Sequence, residues 1–538
     1  MLSTASEKRF HIVRWVLFLA WVLLIASLFY DPLSTALTHP ENDLSPLSDG
    51  VLAIAKDPSR CVDAQGYCVP LLPAYPIALR VFWGMVVPSA IFIVLVFGHE
   101  FWRRICPLYF FSQLPRALGL QPLLKIEQNL WLQNNHFYLQ FVLFFLGITA
   151  RILIINSVRP VAGVFFIFTL LAAASVVALY GGRSWCHYVC PFGMVQTVFT
   201  GPKGLLVKPA HTAKPFSLTQ STCRTVDASG AEQSACVSCK SACMDIDAEQ
   251  SYWEQMYKPG RRLVQYGYLG LVIGYFCYYG LYAGSFSYYF SGVWSHEIRA
   301  IAALAYPGFY LFEQEIPIPK FIAAPLTLAV FAMASCAICT GLERLYRGYL
   351  KHRASAREID ESLIPEKSLH RIFSICTFLA FNCFFVYGGR PEIMKWPLAA
   401  QFAFQTSIAV VSSLWLYRVW GRSSALYEQE RWIDKKQRQL KKLPLDVEAL
   451  LGDRKVNELS APEIDVLAQT LPSLMKREEV KQKIVEQKEV KQKEVKQKKE
   501  QNKPVALPKT VIRRRPYSGP YSDPVMRAKL SKTQIRKP

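Results

Sequence analysis

The chain has 538 residues, of which 51% are hydrophobic and 13% aromatic, while only 19% are charged. That balance excludes an ordinary water-soluble protein of this size and points to extensive contact with lipid. The net charge of +22 is unevenly spread, with 29 Lys and Arg against 16 Asp and Glu between Gly421 and Pro538.

Eight runs approach the roughly 20 residues needed to cross hydrocarbon: Val13 to Tyr30, Ile77 to Phe97, Phe137 to Ile155, Val161 to Tyr180, Val264 to Leu281, Phe321 to Gly341, Ile372 to Val386 and Leu398 to Trp420. The first is longer than a signal-peptide core and lacks a nearby small-residue cleavage site, so it reads as a retained anchor. Ser291 to Phe312 is apolar but interrupted by His296, Glu297 and Arg299, which reads as an interfacial helix rather than a further crossing. The expected fold is an all-α polytopic membrane protein of about eight transmembrane helices, with a small cytoplasmic cysteine-rich loop and a basic, disordered or helical C-terminal tail.

Cationic residues set the orientation, since short loops rich in Lys and Arg stay cytoplasmic. Arg103, Arg104, Arg116 and Lys125, then Arg183 to Arg262, then Arg344 to His370 fall on one side, whereas Asn156 to Pro160 and Glu392 to Lys395 are poorer in positive charge. Both termini are therefore expected in the cytoplasm, with the spans in the inner membrane. Five segments follow: an anchor and outer loop (1–74), a repeat core (75–200), a cysteine-rich loop (201–262), a second transmembrane bundle (263–420) and the basic tail (421–538).

This topology sorts the fourteen cysteines. Cys61 and Cys68 fall in the first outer loop, where an oxidising compartment permits a disulfide. Cys106, Cys186, Cys190, Cys223, Cys236, Cys239 and Cys243 fall on the cytoplasmic side as reduced thiols. The other five lie inside spans, where cysteine is mostly an apolar filler; Cys336 and Cys339, a C-x2-C pair, are close enough to the cytoplasmic end to be considered as ligands.

The seven cytoplasmic thiols carry a pattern. Cys186, Cys190 and Pro191 form C-x3-C-P, and Cys236, Cys239 and Cys243 form C-x2-C-x3-C, spacings that let short turns bring thiolates around an iron-sulfur cube. The segment is also repeated: Gly98 to Pro107 (GHEFWRRICP) resembles Gly182 to Pro191 (GRSWCHYVCP) in its glycine, cysteine and proline, with Gln113 and Gln196 following. The first copy has Trp102 where the second has Cys186, which reads as a four-thiolate arrangement one ligand short. A four-cysteine zinc site more often pairs two C-x2-C motifs, and only one such pair lies in the cytoplasmic set.

GGRSWCHYVCPFG (181–193), its earlier copy and the downstream cysteines resemble the membrane polyferredoxins, the NapH-like, NosR-like and CcoG-like proteins of anaerobic respiration and oxidase maturation. The resemblance covers about residues 75–250. It implies 4Fe-4S clusters at the cytoplasmic face, bound by cysteines of these motifs, and electron exchange with quinol or a partner reductase system. The chain departs from a full ferredoxin run in having Gln233 at the first cysteine position and Met244 where proline belongs. Under the ferredoxin rule that the last cysteine of a run serves the other cluster, Cys223, Cys236, Cys239 and Cys190 would hold one cube and Cys243, Cys186 and Cys106 three corners of another. His99, His187, Cys336, Cys339 or an open iron would complete the second, and a single cube with spare thiols is the alternative.

Eight tyrosines between Tyr266 and Tyr289 need hydroxyl partners in lipid. A quinone pocket would supply them, as would helix packing through the Gly270 and Gly274 G-x3-G pair. Arg80 and Arg151, near the outer ends of spans, suit snorkelling or a quinone or lipid head group. Nucleotide-binding and hydrolytic motifs are missing. Past Trp420 the repeated phrase EEVKQKIVEQKEVKQKEVKQKKEQ cannot build a core, and without aromatic interleaving no nucleic-acid partner is expected. The expected function is a membrane iron-sulfur relay between a cytosolic or quinol donor and a redox partner, an electron-transfer subunit rather than a stand-alone enzyme. An oxidase-assembly or redox-sensing factor would use the same thiolates.

Overall fold

The structure, a computed structural model, describes residues 7–38, 61–70, 76–120, 122–207, 224–226, 232–234, 244, 247–295, 300–355, 361–394, 396–440, 463 and 466. The chain divides into two units, Met1–Gln439 and Leu440–Pro538. The first unit is built from helices α1 (Glu7–Phe29), α2 (Val87–Ile105), α3 (Pro107–Ser112), α4 (Leu130–Ala150), α5 (Arg159–Tyr180), α6 (Pro191–Thr200), α7 (Ala248–Gln255), α8 (Tyr268–Ala283), α9 (Lys320–Ser355), α10 (Ile364–Tyr387), α11 (Leu398–Trp420) and α12 (Ser424–Leu440), with shorter turns between them.

Among the described residues seven helices are long and apolar enough to cross a membrane: His11–Phe29, Ile77–His99, Leu130–Ile155, Arg159–Tyr180, Lys320–Ala354, Glu361–Tyr387 and Leu398–Trp420. The chain is a mostly helical membrane protein. The sequence pattern gives eight spans, and the difference lies at Val264 to Leu281. There a five-residue π-turn, Leu263–Gly267, runs into the 16-residue α8, so α8 alone falls short of a crossing while the two pieces together reach it. Close packing accompanies the turn, because a Cβ on Gly267 would lie 2.8 Å from the Phe141 ring and one on Gly270 would lie 2.3 Å from the Phe331 carbonyl oxygen. The G-x3-G pair thus serves helix packing: Gly270 and Gly274 both face Phe331 of α9.

The main core gathers α4, α6, α8, α9 and α10 around buried Val198, Leu271, Leu328 and Phe381. A second cluster joins α1 to α5 through Ile25, Leu28, Phe166 and Leu170. Strands β1 (Cys61–Ala64) and β2 (Tyr67–Pro70) form an antiparallel hairpin closed by a Cys61–Cys68 disulfide, with Cα atoms 5.2 Å apart. The Gln65 amide donates to the Ala283 carbonyl at 3.0 Å and its side chain to the Pro307 carbonyl at 3.0 Å, which seats the hairpin at the C-terminal end of α8. Strands β3 (Arg224–Val226) and β4 (Glu232–Ser234) pair within the cysteine-rich loop.

Two stretches differ from the sequence pattern. Ser291 to Phe312 is not one interfacial helix: Gly292 is left-handed (φ 76), short 3-10 turns cover Val293–Ser295 and Ala302–Ala305, and Pro307–Leu311 pairs as β5 with β6 (Gln314–Pro319). Glycine and proline punctuate that segment too closely for a helix to propagate. Packed structure also continues past Trp420. Arg422 pairs with Glu249 at 2.8 Å and with Glu430 at 2.5 Å, and Tyr427 donates to Asp247 at 2.6 Å, docking α12 on α7.

Candidate metal centre

After α5 the chain passes through two left-handed glycines, Gly181 (φ 69) and Gly182 (φ 56), and turns back on itself. A Cβ on Gly181 would come within 2.5 Å of Pro122, so space and dihedral both require glycine there. A π-turn, Trp185–Val189, then folds the CHYVC segment against Ala173 and Val177 of α5. Gln140 fixes it from the other side by donating to the His187 carbonyl at 3.2 Å. Gln140 lies roughly 15 Å along α4 from its start, so the cysteine turn sits within the bundle and not in a peripheral loop.

Cys186 and Cys190 are buried, Cys106 is partly buried, and all three belong to one packed cluster with Tyr109, Ala173, Val177 and Trp185. Cys190 stands at the head of α6 (φ −53, ψ 120) and Cys106 at the head of α3 (φ −63, ψ 114), each followed by a proline at the first helical position. Proline has no N–H to offer, so the next two amides are the ones facing the sulfur. Those of Phe192 and Gly193 favour the Cys190 thiolate, and those of Tyr109 and Leu108 favour that of Cys106, short of the full capping bond a serine would make. Burial dominates: it pushes the Cys106 thiol up and Cys190 to about 12, the latter helped by Cys106 itself.

Positive charge is built in alongside. Arg183 is buried with its guanidinium 4.1 Å over the Tyr109 ring, and it favours the Cys106 thiolate. Arg261 is also buried and lies over Phe137, Tyr252 and Phe373 at 5.7, 5.7 and 5.2 Å, with no hydrogen-bond partner for its guanidinium nitrogens among the described residues. From Phe137 the packing passes to His136, whose ring is 5.5 Å from that of Tyr188 in the cysteine turn. Soft sulfur donors, helix-terminal amides and buried cations suit a group of thiolates around an anionic iron-sulfur cage. Among the described residues no three His, Cys, Asp or Glu side chains close on a single-ion site.

Cys223, Cys236, Cys239 and Cys243 lie outside the described residues. The C-x2-C pair of α9 is not brought to the cysteine turn: Cys339 and Cys376 have sulfurs 3.5 Å apart and pack, with Cys336 beside them, in the main core. Sequence reasoning missed Gln140 and Arg261. A lone glutamine within an apolar span was the available signal for Gln140, whereas Arg261 is indistinguishable in sequence from any other basic residue at a membrane boundary.

A cavity of about 530 Å³ opens between the spans. Its lining includes Trp185, Cys190 and Phe192 and also Arg151, Asn156 and Tyr275. Arg151 lies over Trp83 at 3.9 Å and Tyr275 at 4.7 Å and donates to Asn156 at 3.3 Å. Asn156 donates to the Tyr279 hydroxyl at 2.9 Å, which meets that of Tyr275 at 3.1 Å.

Residues 163–209 match a sequence family described as a 4Fe-4S binding domain. The match takes in most of α5, the left-handed glycines, Cys186, Cys190 and α6, and it supports an iron-sulfur protein that carries a 4Fe-4S cluster. No curated protein and no solved structure matches the chain.

Proposed function

We propose that the chain is a membrane-bound iron-sulfur electron carrier of the polyferredoxin kind, relaying electrons between a cytosolic or quinol donor and a partner redox system. The reading rests above all on the convergence of Cys106, Cys186 and Cys190 in one buried cluster that overlaps the 4Fe-4S family match. When bound, the cluster supplies one-electron transfer. Cysteines of this set would be among the ligands, the amides after each proline would stabilise thiolate charge, Arg183 would offset part of that charge, and the packed walls would exclude water. The cysteine-rich loop with Cys223, Cys236, Cys239 and Cys243 adds thiolates for this or a further cluster.

A quinone belongs to the same reading. The cavity beside Cys190 is lined mainly by apolar and aromatic side chains and carries a hydrogen-bonded polar group of Arg151, Asn156 and Tyr275 in its wall, which suits a flat ring with polar oxygens on a lipid tail. Cationic loops argue for both termini on the cytoplasmic side of the inner membrane. Anaerobic addition of a short-chain quinol to the full-length chain in detergent tests this. Bleaching of the iron-sulfur absorption that is lost in Cys190→Ser and kept in Cys383→Ser supports the proposal; an unchanged spectrum in a chain that dithionite does bleach removes the quinol as donor.

A further inference from the structure

The repeat seen in the sequence is also a repeat of backbone, in a different register. Gly98 (φ 73, ψ 174) is matched by Gly181 (φ 69, ψ −175) and not by Gly182 (φ 56). At the other end, the Cys106 amide donates to the Trp102 carbonyl at 3.0 Å and the Cys190 amide to the Trp185 carbonyl at 2.7 Å. Trp102 therefore corresponds to Trp185. The second copy has one residue more, and the π-turn Trp185–Val189 takes it up, as a π-turn does when a residue is inserted into an α-helix. Four residues, Cys186 to Val189, thus stand where the first copy has three, Arg103 to Ile105, and only the second copy carries a cysteine there.

The two copies are also exchanged in space. Helix α3, after Cys106, packs on α5 of the second copy, while α6, after Cys190, packs on α2 of the first. The chain after each short helix then bonds to the opposite span: the Leu124 amide donates to the Leu179 carbonyl at 2.7 Å, and the Leu206 amide to the Val96 carbonyl at 2.8 Å. Even the glycine contacts correspond, since a Cβ on Gly181 would strike Pro122 at 2.5 Å and one on Gly98 would strike Val207 at 2.8 Å. These reciprocal contacts define a local two-fold relation. Cys106 and Cys190 are its paired members, each heading a helix with a proline at the first helical position and each with closely similar backbone angles.

From this geometry, and resting on the iron-sulfur reading, we infer that Cys106, Cys186 and Cys190 are ligands of one and the same cluster. Two thiols related by a local two-fold and packed in one cluster face a common point. Cys186, packed in the same cluster, adds a third donor on one side only. The ferredoxin rule would instead send Cys190 to a different cage from Cys106 and Cys186, and the reciprocal packing argues against that division.

The test uses the full-length chain, purified without oxygen and reduced with dithionite, with iron counting and electron paramagnetic resonance as readouts. Cys106→Ser, Cys186→Ser and Cys190→Ser should each change or erase the same signal. The double variant Cys106→Ser with Cys190→Ser should lose no more iron than either single, a loss of about four irons per chain. Alanine versions guard against serine acting as a substitute ligand, and Cys383→Ser controls for folding. Separate signals lost from Cys106→Ser and Cys190→Ser, additive iron loss, or full wild-type iron and spectrum in Cys106→Ala would overturn the inference while leaving an iron-sulfur protein in place. Wild-type chain devoid of iron would instead remove the reading beneath it.

Discussion

Arg183 sits where its charge bears on the candidate centre, over Tyr109 and within Coulomb range of Cys106. Removing a positive charge there favours the oxidised, less negative form of a bound cluster. Arg183→Gln should therefore lower the reduction potential by about 60 mV, the one-electron equivalent of a tenfold change in equilibrium; a potentiometric titration of the spectroscopic signal reads this directly. The thiols supply a second expectation at the same scale. A raised pKa means that the cluster-free folded chain holds a proton which the unfolded chain releases near 9.0. The associated stability is complete below pH 9.0 and lost as pH rises toward about 12, the value to which burial pushes Cys190. Alkaline unfolding of cluster-free chain should accordingly be eased by Cys190→Ser less than neutral-pH unfolding is, as followed by circular dichroism.

Among the elements, the two left-handed glycines that end the spans matter most. Alanine at Gly181 or Gly98 costs about 1–3 kcal/mol from the backbone conformation alone, since positive φ with ψ near 180° is essentially confined to glycine, and the Cβ contacts at 2.5 and 2.8 Å add to it. Both variants should lower the thermal midpoint and the iron content together, whereas Gly147→Ala, which meets nothing within 4 Å, should change neither. Much of this was legible in the sequence: C-P at each helix head, glycine before each turn, and a repeat spanning both. The register was not. Aligning Gly98 with Gly182 keeps the copies equal in length, and only hydrogen bonds from Cys106 to Trp102 and from Cys190 to Trp185 reveal the inserted residue. The split span at Leu263–Gly267 was hidden for a related reason, because a π-turn leaves hydropathy unchanged. The hairpin of Pro307–Pro319 was masked by apolar composition that a strand and an interfacial helix share.

At the scale of the whole molecule, the disulfide-bearing hairpin and the buried thiols occupy different regions. The hairpin docks at Ala283, the last residue of α8, whereas Arg261 and the π-turn lie before its first, about 30 Å apart along a helix of that length. A bundle that oxidises one cysteine pair and keeps others as thiols can serve two compartments of opposite redox character, in keeping with the proposed orientation. The cavity is lined by both Cys190 and Arg151. Everything proposed for the chain nonetheless depends on sulfur-held iron, and the most direct measurement is elemental. Full-length protein purified without oxygen should contain about four or about eight irons per chain with matching acid-labile sulfide, falling in Cys106→Ala and Cys190→Ala and unchanged in Cys383→Ser. Chain that binds no iron, or that holds stoichiometric zinc in its place, would contradict the account.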